Sequence, residues 1–222
     1  MLAIAASRFA SPIADRGAPR PIEGDRSLSE PDARRAFYMD LARIGGEREV
    51  DPPPPGVAGK RLKPWLKKRE ILSRTLREIR PFDDAFFPEV ADLWVASWAK
   101  TMPSIDFEAR RSWFVDHIGT ALDAGRAVRV AVVETGDVVG FVLIDPATGW
   151  LDQIAVAPAQ WGAGIAEALL AAARALSPSR VGLDVNADNP RAVAFYARQG
   201  FVEVGRGENP RSGLPQIGRA HV

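Results

Sequence analysis

An α/β fold follows from this sequence: a mixed central sheet with helices on both faces, an α+β sandwich. Three observations predict it. Three short apolar runs, residues 127–134, 138–144 and 150–156, follow one another with only turn chemistry between them. Thr135-Gly136-Asp137 and Asp145-Pro146-Ala147-Thr148-Gly149 are the connections, so the runs read as hairpin-linked strands. Two stretches of helical periodicity precede them. After them come strand, glycine loop and helix over residues 151–176, then strand, helix and strand to about residue 206. A doubly wound dinucleotide fold would place its glycine loop after the first strand, and here three hairpin-linked strands come first.

Each element has local reasons. Residues 76–80 form the first strand-like run. Asp83 or Asp84 can cap a helix in which Phe86, Phe87, Val90, Leu93, Trp94 and Trp98 recur at helical spacing. Met102-Pro103 breaks it. Asp106 can cap a second helix, which carries Phe107, Phe114, Ile118, Ala121 and Leu122 and stops at Gly125. His117 falls on its polar face, where solvation is expected. The helix from Ile165 ends at Ser177-Pro178. Asn189-Pro190 opens another and Gly200 closes it, with Pro just inside the start and Gly just past the end. Trp94, Trp98, Trp113 and Trp150 are expected as core and pocket wall.

The chemistry sits in the glycine loop. Gly162 and Gly164 lead from a strand end into a helix N-terminus, which presents unpaired backbone N–H groups and a positive dipole end to an anion. No β-carbon hinders close approach there. Trp161-Gly162-Ala163-Gly164-Ile165-Ala166 resembles the Gln/Arg-x-x-Gly-x-Gly/Ala signature of the GNAT superfamily of N-acetyltransferases. Asn189, Ala192, Phe195, Tyr196, Gly200 and Phe201 resemble its Asn-x-x-Ala-x-x-Phe-Tyr-x-x-x-Gly-Phe pattern. The resemblance covers residues 76 to about 216. It departs at Trp161, which stands where the family has Gln or Arg; Gln160 is polar but one residue out of register.

The resemblance implies an N-acetyltransferase that carries an acetyl group from acetyl-CoA to a primary amine by direct attack in a ternary complex. Acetyl-CoA is then a co-substrate, and no metal is expected, since no second His lies within ligand spacing of His117. The pyrophosphate would sit on Gly162, Ala163, Gly164, Ile165 and Ala166 beside Trp161, and Asn189 would hydrogen-bond the same molecule. An opened strand around Ala155 and Val156 would stabilise charge on the thioester oxygen and pair with the pantetheine amides. Tyr196, with an ordinary pKa of about 10 against about 8.5 for a thiol, would return a proton to the leaving thiolate. Asp152 is the nearest candidate for the carboxylate that removes the amine's proton, with Gln153 its non-ionisable neighbour. The acceptor is a small-molecule or peptide amine, chosen by the first two helices and their loop, where Asp106 and Glu108 are matched by Arg110 and Arg111. A different class fits the same loop: a non-catalytic acyl-CoA-binding or regulatory module.

Composition narrows the alternatives. The 222 residues are 46% hydrophobic with a net charge of +1, which gives no pull toward nucleic acid or anionic membrane. Neither is an expected partner; a homodimer is compatible with the reading. Cysteine is absent, which excludes an acyl-cysteine intermediate and a thiolate zinc site. No apolar run approaches the roughly 20 residues of a membrane helix, and the opening residues lack a basic start, so a cytoplasmic protein is expected. Three segments are anticipated. Residues 1–72 form a low-order leader rich in Pro and Arg, with a short helix over 29–44, a polyproline linker at 51–56 and a basic stretch. Between Lys60 and Arg80 that stretch holds nine Lys or Arg against two Glu, and it reads as solvated linker and the polar face of a short helix. Residues 73–216 form the acetyltransferase domain. Residues 217–222 match one reading frame of a common sequencing adapter and are expected to be a foreign tail. The last strand would then be truncated, because Gly218 and Arg219 are poor strand formers, and His221 would have no functional role.

Overall fold

A computed structural model of the chain describes residues 3–5, 62–209 and 213–221. The helix expected over 29–44 and the linker at 51–56 lie outside them. A three-residue strand, β1 (Ala3–Ala5), comes first. The basic stretch forms a helix, α1 (Leu62–Leu72), with Leu66 and Ile71 exposed. β2 (Leu76–Pro81) leads to a single 3-10 turn capped by Asp83, whose Oδ1 accepts from the Ala85 amide at 2.9 Å. α2 (Phe87–Thr101) buries Phe87, Val90, Leu93, Trp94 and Trp98 along one face. Asp106 caps the turn before α3 (Arg111–Asp123), accepting from the Ala109 amide at 3.0 Å. Then follow β3 (Ala127–Val133), β4 (Val138–Asp145), β5 (Trp150–Val156), α4 (Ile165–Leu176), β6 (Val181–Asn186), α5 (Pro190–Arg198), β7 (Val202–Glu208) and β8 (Pro215–His221).

The strands make one mixed sheet in the order β2-β3-β4-β5-β6-β8-β7, with β1 off this path against β5. Among the described strands only β5 and β6 run parallel, and they share a single pair, Trp150 with Gly182. Beyond it they part. β1 lies antiparallel along the parted edge of β5, with Ala3 opposite Ala155, Ile4 opposite Ile154 and Ala5 opposite Gln153. On its other edge β5 carries a bulge: Leu143 faces Gln153 and Ile144 faces Leu151, so Asp152 has no partner in β4. A bulge suspends the alternation of side chains. Asp152 and Gln153 therefore both meet the α2–α3 side of the sheet. Helices α4 and α5 cover the opposite face, over Ile154, Val156, Leu169, Leu170 and Phe195. Helices α2 and α3 pack on Phe141, Leu143 and Ala155.

One expectation is corrected. The last strand is not truncated: β8 inserts between β6 and β7, pairing from Val181–His221 to Asn186–Gln216 on one side and from Val202–Ala220 to Glu208–Pro215 on the other. Strand propensity spans only about 1 kcal/mol per residue, and two ladders of backbone hydrogen bonds outweigh it. Gly218 even suits the place, since a β-carbon there would lie 3.3 Å from Asp184 Oδ1. Ile217 and Arg219 are buried. The exposed edge belongs instead to β7, where Val202 and Val204 face solvent. Removing residues 217–222 should lower the urea midpoint by at least roughly 0.5 M, given about 1.5–3 kcal/mol for a buried Ile and a slope of about 1–3 kcal/mol per M. An unchanged midpoint would show that β8 contributes nothing to the folded chain.

Candidate active site

From β5 a 3-10 turn, Pro158–Gln160, carries the chain into the glycine loop. Gly162 and Gly164 have φ of +84° and +80°, where any L side chain would cost about 1–2 kcal/mol. A β-carbon at either would meet nothing within 4 Å, so glycine is required by the backbone and the outer side of the loop is open. The amides of Gly162, Gly164, Ile165, Ala166 and Glu167 carry no hydrogen bond among the described residues. That of Ala163 is already taken, donating to the Gln160 carbonyl at 3.1 Å. The result is a row of five donors at the N-terminus of α4, the arrangement that suits a phosphate.

Trp161 does not reach toward that row. Its Nε1 donates back to the Val156 carbonyl at 2.8 Å and so ties the loop to the end of β5. Gln160 is buried and donates to the Ser73 carbonyl at 2.6 Å. Positive charge on this side comes from α5, whose Arg191 and Arg198 line the pocket beside the loop. The Arg191 guanidinium stands 5.8 Å from the Trp161 ring centroid. Sequence reasoning missed both arginines, although Arg191 fills a variable position of the Asn-x-x-Ala-x-x-Phe-Tyr pattern and Arg198 follows it by two residues, at the second and last positions of the helix.

The two residues read as the opened strand separate by direction. The Ala157 amide donates to Val139 of β4 at 2.8 Å. Backbone groups alternate along a strand, so those of Val156 face the splay and those of Ala155 face β4. The Val156 carbonyl accepts from Trp161 and from Ser97 Oγ at 3.2 Å. Asn189 caps α5, its Oδ1 accepting from the Ala192 amide at 3.2 Å. Tyr196 is fully buried, edge-on to Phe195 and to Phe201 with ring centroids 5.3 Å apart in both pairs. Its hydroxyl has no partner among the described residues, and burial pushes its pKa well above 10.

On the α2–α3 side the bulge gathers a polar cluster. Asp152 Oδ2 lies 2.8 Å from His117 Nε2 and 3.2 Å from Arg126 Nη1, with the carboxylate side chain only 3% exposed. His117 is therefore not the solvated residue of the sequence reading. Its ring stacks on Trp113 at 5.0 Å and 21°. A partner 35 residues away in sequence left no local signal. Gln153 Oε1 accepts from Trp94 Nε1 at 3.4 Å. Asp152 Oδ1 and Gln153 Nε2 are buried and have no partner among the described residues. Trp94 and Trp98 are buried, stacked on Phe114 and Phe107 respectively. The charges at the start of α3 are consumed locally, because Arg111 binds both Glu108 and Asp92. A groove of about 490 Å³ on the β6–β8–β7 face is larger than the loop pocket, but it holds neither the amide row nor the polar cluster.

Residues 86–201 match the acetyltransferase (GNAT) family, a little over half of the chain, and the chain belongs to that family. It is an acyltransferase of an acetyl-CoA-dependent N-acetyltransferase family. Among solved structures it is similar to apo-form YjaB from Escherichia coli, at 26% identity and a TM-score of 0.54, over 65% of this chain and 97% of that one. The ribosomal-protein-alanine N-acetyltransferase from Brucella melitensis is 22% identical with a TM-score of 0.52, over 66% and 99%. A structure described as histone acetyltransferase HPA2 and related acetyltransferase from Corynebacterium glutamicum is 22% identical with a TM-score of 0.54, over 66% and 95%. These last two show a shared fold. No protein of curated function matches the chain significantly. Among the described residues no helix is long and apolar enough to cross a membrane, and no three His, Asp or Glu side chains are grouped to hold a metal ion.

The loop geometry yields a direct expectation. CoA should raise the melting temperature of the wild-type chain by ligand linkage. Gly164→Val should abolish that rise, because the open space above the loop is filled and the left-handed backbone is strained. A valine variant with the wild-type CoA response would remove the loop from the binding site.

Proposed function

We propose that the chain transfers the acetyl group of acetyl-CoA to a primary amine by direct attack within a ternary complex. The observation that carries this reading is the parting of β5 and β6 beside the row of unpaired amides at the start of α4. Gly162, Gly164, Ile165 and Ala166 would hold the pyrophosphate, with Arg191 and Arg198 adding positive charge that Trp161 does not supply. Val156 would offer its N–H from the splayed edge, either to a pantetheine amide or to the thioester oxygen as charge builds on it. Asn189, whose side-chain nitrogen is not used in capping, would donate from the start of α5.

Bound acetyl-CoA supplies an activated acetyl group and, on transfer, a thiolate that needs a proton. Tyr196 is suited to give it. A buried hydroxyl without a partner costs roughly 1–3 kcal/mol, and an acceptor sulfur would relieve that cost. Burial holds its pKa well above 10, so Tyr196 is protonated at neutral pH, and passing its proton to the thiolate requires the enclosed hydroxyl to open toward the sulfur. The acceptor amine would enter from the α2–α3 side, where Asp152 and the aromatic wall lie.

β1 occupies the edge of β5 opposite Gln153, Ile154 and Ala155, so it and a pantetheine arm compete for one place. A chain lacking residues 1–5 should bind CoA more tightly than the full chain; equal affinity would show that the two do not overlap. Tyr196→Phe should keep CoA affinity and lower turnover roughly 10- to 1,000-fold. The variant should fold, since it removes a hydroxyl that bonds to nothing. Unchanged turnover would leave Tyr196 a packing residue. Release of thiol from acetyl-CoA, measured with a panel of primary amines, tests the reaction itself. CoA binding without amine-dependent release would favour the acyl-CoA-binding module.

A further inference from the structure

The proposal concerns the proton that the acceptor amine must lose, and it rests on the reading just given. An ammonium ion has no lone pair, so a group near neutral pH has to deprotonate it before it attacks. Asp152 is badly placed to do so. Its carboxylate is almost wholly buried, and Oδ2 is bound by both His117 and the permanent cation Arg126. His117 is better placed. Its ring is fixed on one side by the stack on Trp113 and at one end by Asp152. A carboxylate at 2.8 Å from Nε2 calls for a proton on that nitrogen, which leaves Nδ1 with its lone pair. Nδ1 has no hydrogen bond among the described residues and is not one of the fully buried unpartnered atoms. The side chain retains 14% exposure.

We propose that His117 Nδ1 is the base that takes the first proton from the acceptor ammonium, directly or through one water, and that Asp152 is the positioning residue that fixes its tautomer. The balance is closed. One proton passes from R–NH3+ to Nδ1, and the nitrogen lone pair then forms the C–N bond as the C–S bond breaks. Tyr196 gives its phenolic proton to the thiolate. The second proton lost by nitrogen restores Tyr196 through solvent, and His117 releases its own to bulk water. The charged groups next to His117 are Asp152 from β5, Arg126 through its bond to Asp152, and Asp116, its neighbour in sequence on α3. The Glu108–Arg111–Asp92 cluster is paired within itself. Nothing in the sequence marked this pair, because α3 and β5 lie far apart in the chain and meet only where the helix packs on the sheet.

The test uses the full chain, acetyl-CoA and the amine panel, with thiol release followed from pH 5 to 10. His117→Gln should lower kcat roughly 10²–10⁴-fold with an unchanged KM for acetyl-CoA and an unchanged CoA-dependent rise in melting temperature. The acid limb of kcat/KM should vanish with it, and added imidazole should restore part of the rate in His117→Ala. Asp152→Asn should lower kcat yet keep an acid limb. If instead the limb survives in His117→Gln and is lost in Asp152→Asn, Asp152 is the base and the proposal fails. A wild-type chain that binds CoA but acetylates no amine would overturn the proposed function, and this proposal with it. An active wild type matched by His117→Gln would overturn this proposal alone. Long-range proton–nitrogen NMR of the wild type checks the same point without any variant. The Nε2–H tautomer of neutral His117 is expected, and the Nδ1–H tautomer would contradict it.

Discussion

The structure turns on a pinch between two strands. β5 and β6 are parallel neighbours that touch through one pair, Trp150 with Gly182, and glycine makes that pinch. Gly149 has φ of +73°, and a β-carbon there would stand 2.3 Å from the Arg180 carbonyl. The Gly182 amide donates to the Gly149 carbonyl at 2.9 Å. Any larger residue at 149 would push the strand starts apart and disturb the one β5–β6 pair among the described residues. Beyond the pinch β5 and β6 share no further pair among the described residues, and the bulge at Asp152 bends β5 further from a regular ladder. A cleft between parallel strands is otherwise hard to make, because unpaired backbone groups in a buried sheet are costly. Here Trp161, Ser97 and β1 meet several of them.

The cleft also divides the chemistry between the two faces. α4 and α5 bring donors and cations to one side: the amide row, Arg191, Arg198 and the hydroxyl of Tyr196. α2 and α3 bring aromatic rings and one histidine to the other, where the bulge presents Asp152 and Gln153 side by side. In the proposed reading, the groups for anion binding and for proton removal approach β5 from opposite faces and meet at its splayed edge. Among the described residues, three of the buried polar atoms without a partner fall on this boundary, Tyr196 OH on one side and Asp152 Oδ1 and Gln153 Nε2 on the other; others lie elsewhere, at Gln160, Arg174 and Arg219.

Much of this was legible in the sequence, for physical reasons. The hairpin strands, the glycine loop and the helices around it announce themselves through short-range signals: turn residues, periodicity and caps. Residues 150–156 coincide with β5 as observed. What escaped was everything set by partners distant in the chain. β8 forms from residues with weak strand propensity because β6 and β7 supply a ladder on both sides, which no local window contains. His117 looks solvated on a helical wheel, yet Asp152 turns toward it only because one residue of β5 lacks a partner in β4. Trp161 breaks the family's side-chain pattern, and its indole serves the loop by returning to Val156. The sequence also could not show that Ala163 uses its amide inward while its neighbours do not.

The central claim is that the splayed edge of β5 and the amide row of α4 form one binding surface for CoA. Titrating CoA into the isotopically labelled chain and following backbone amide shifts tests it residue by residue. The account predicts the largest changes at Val156, Gly162, Gly164, Ile165 and Ala166, with Ala163 moving less because its amide is already bonded. Changes confined to Gly182, Asp184, Gly205 and Arg219, in the groove on the other arm of the sheet, with the glycine loop unmoved, would contradict it.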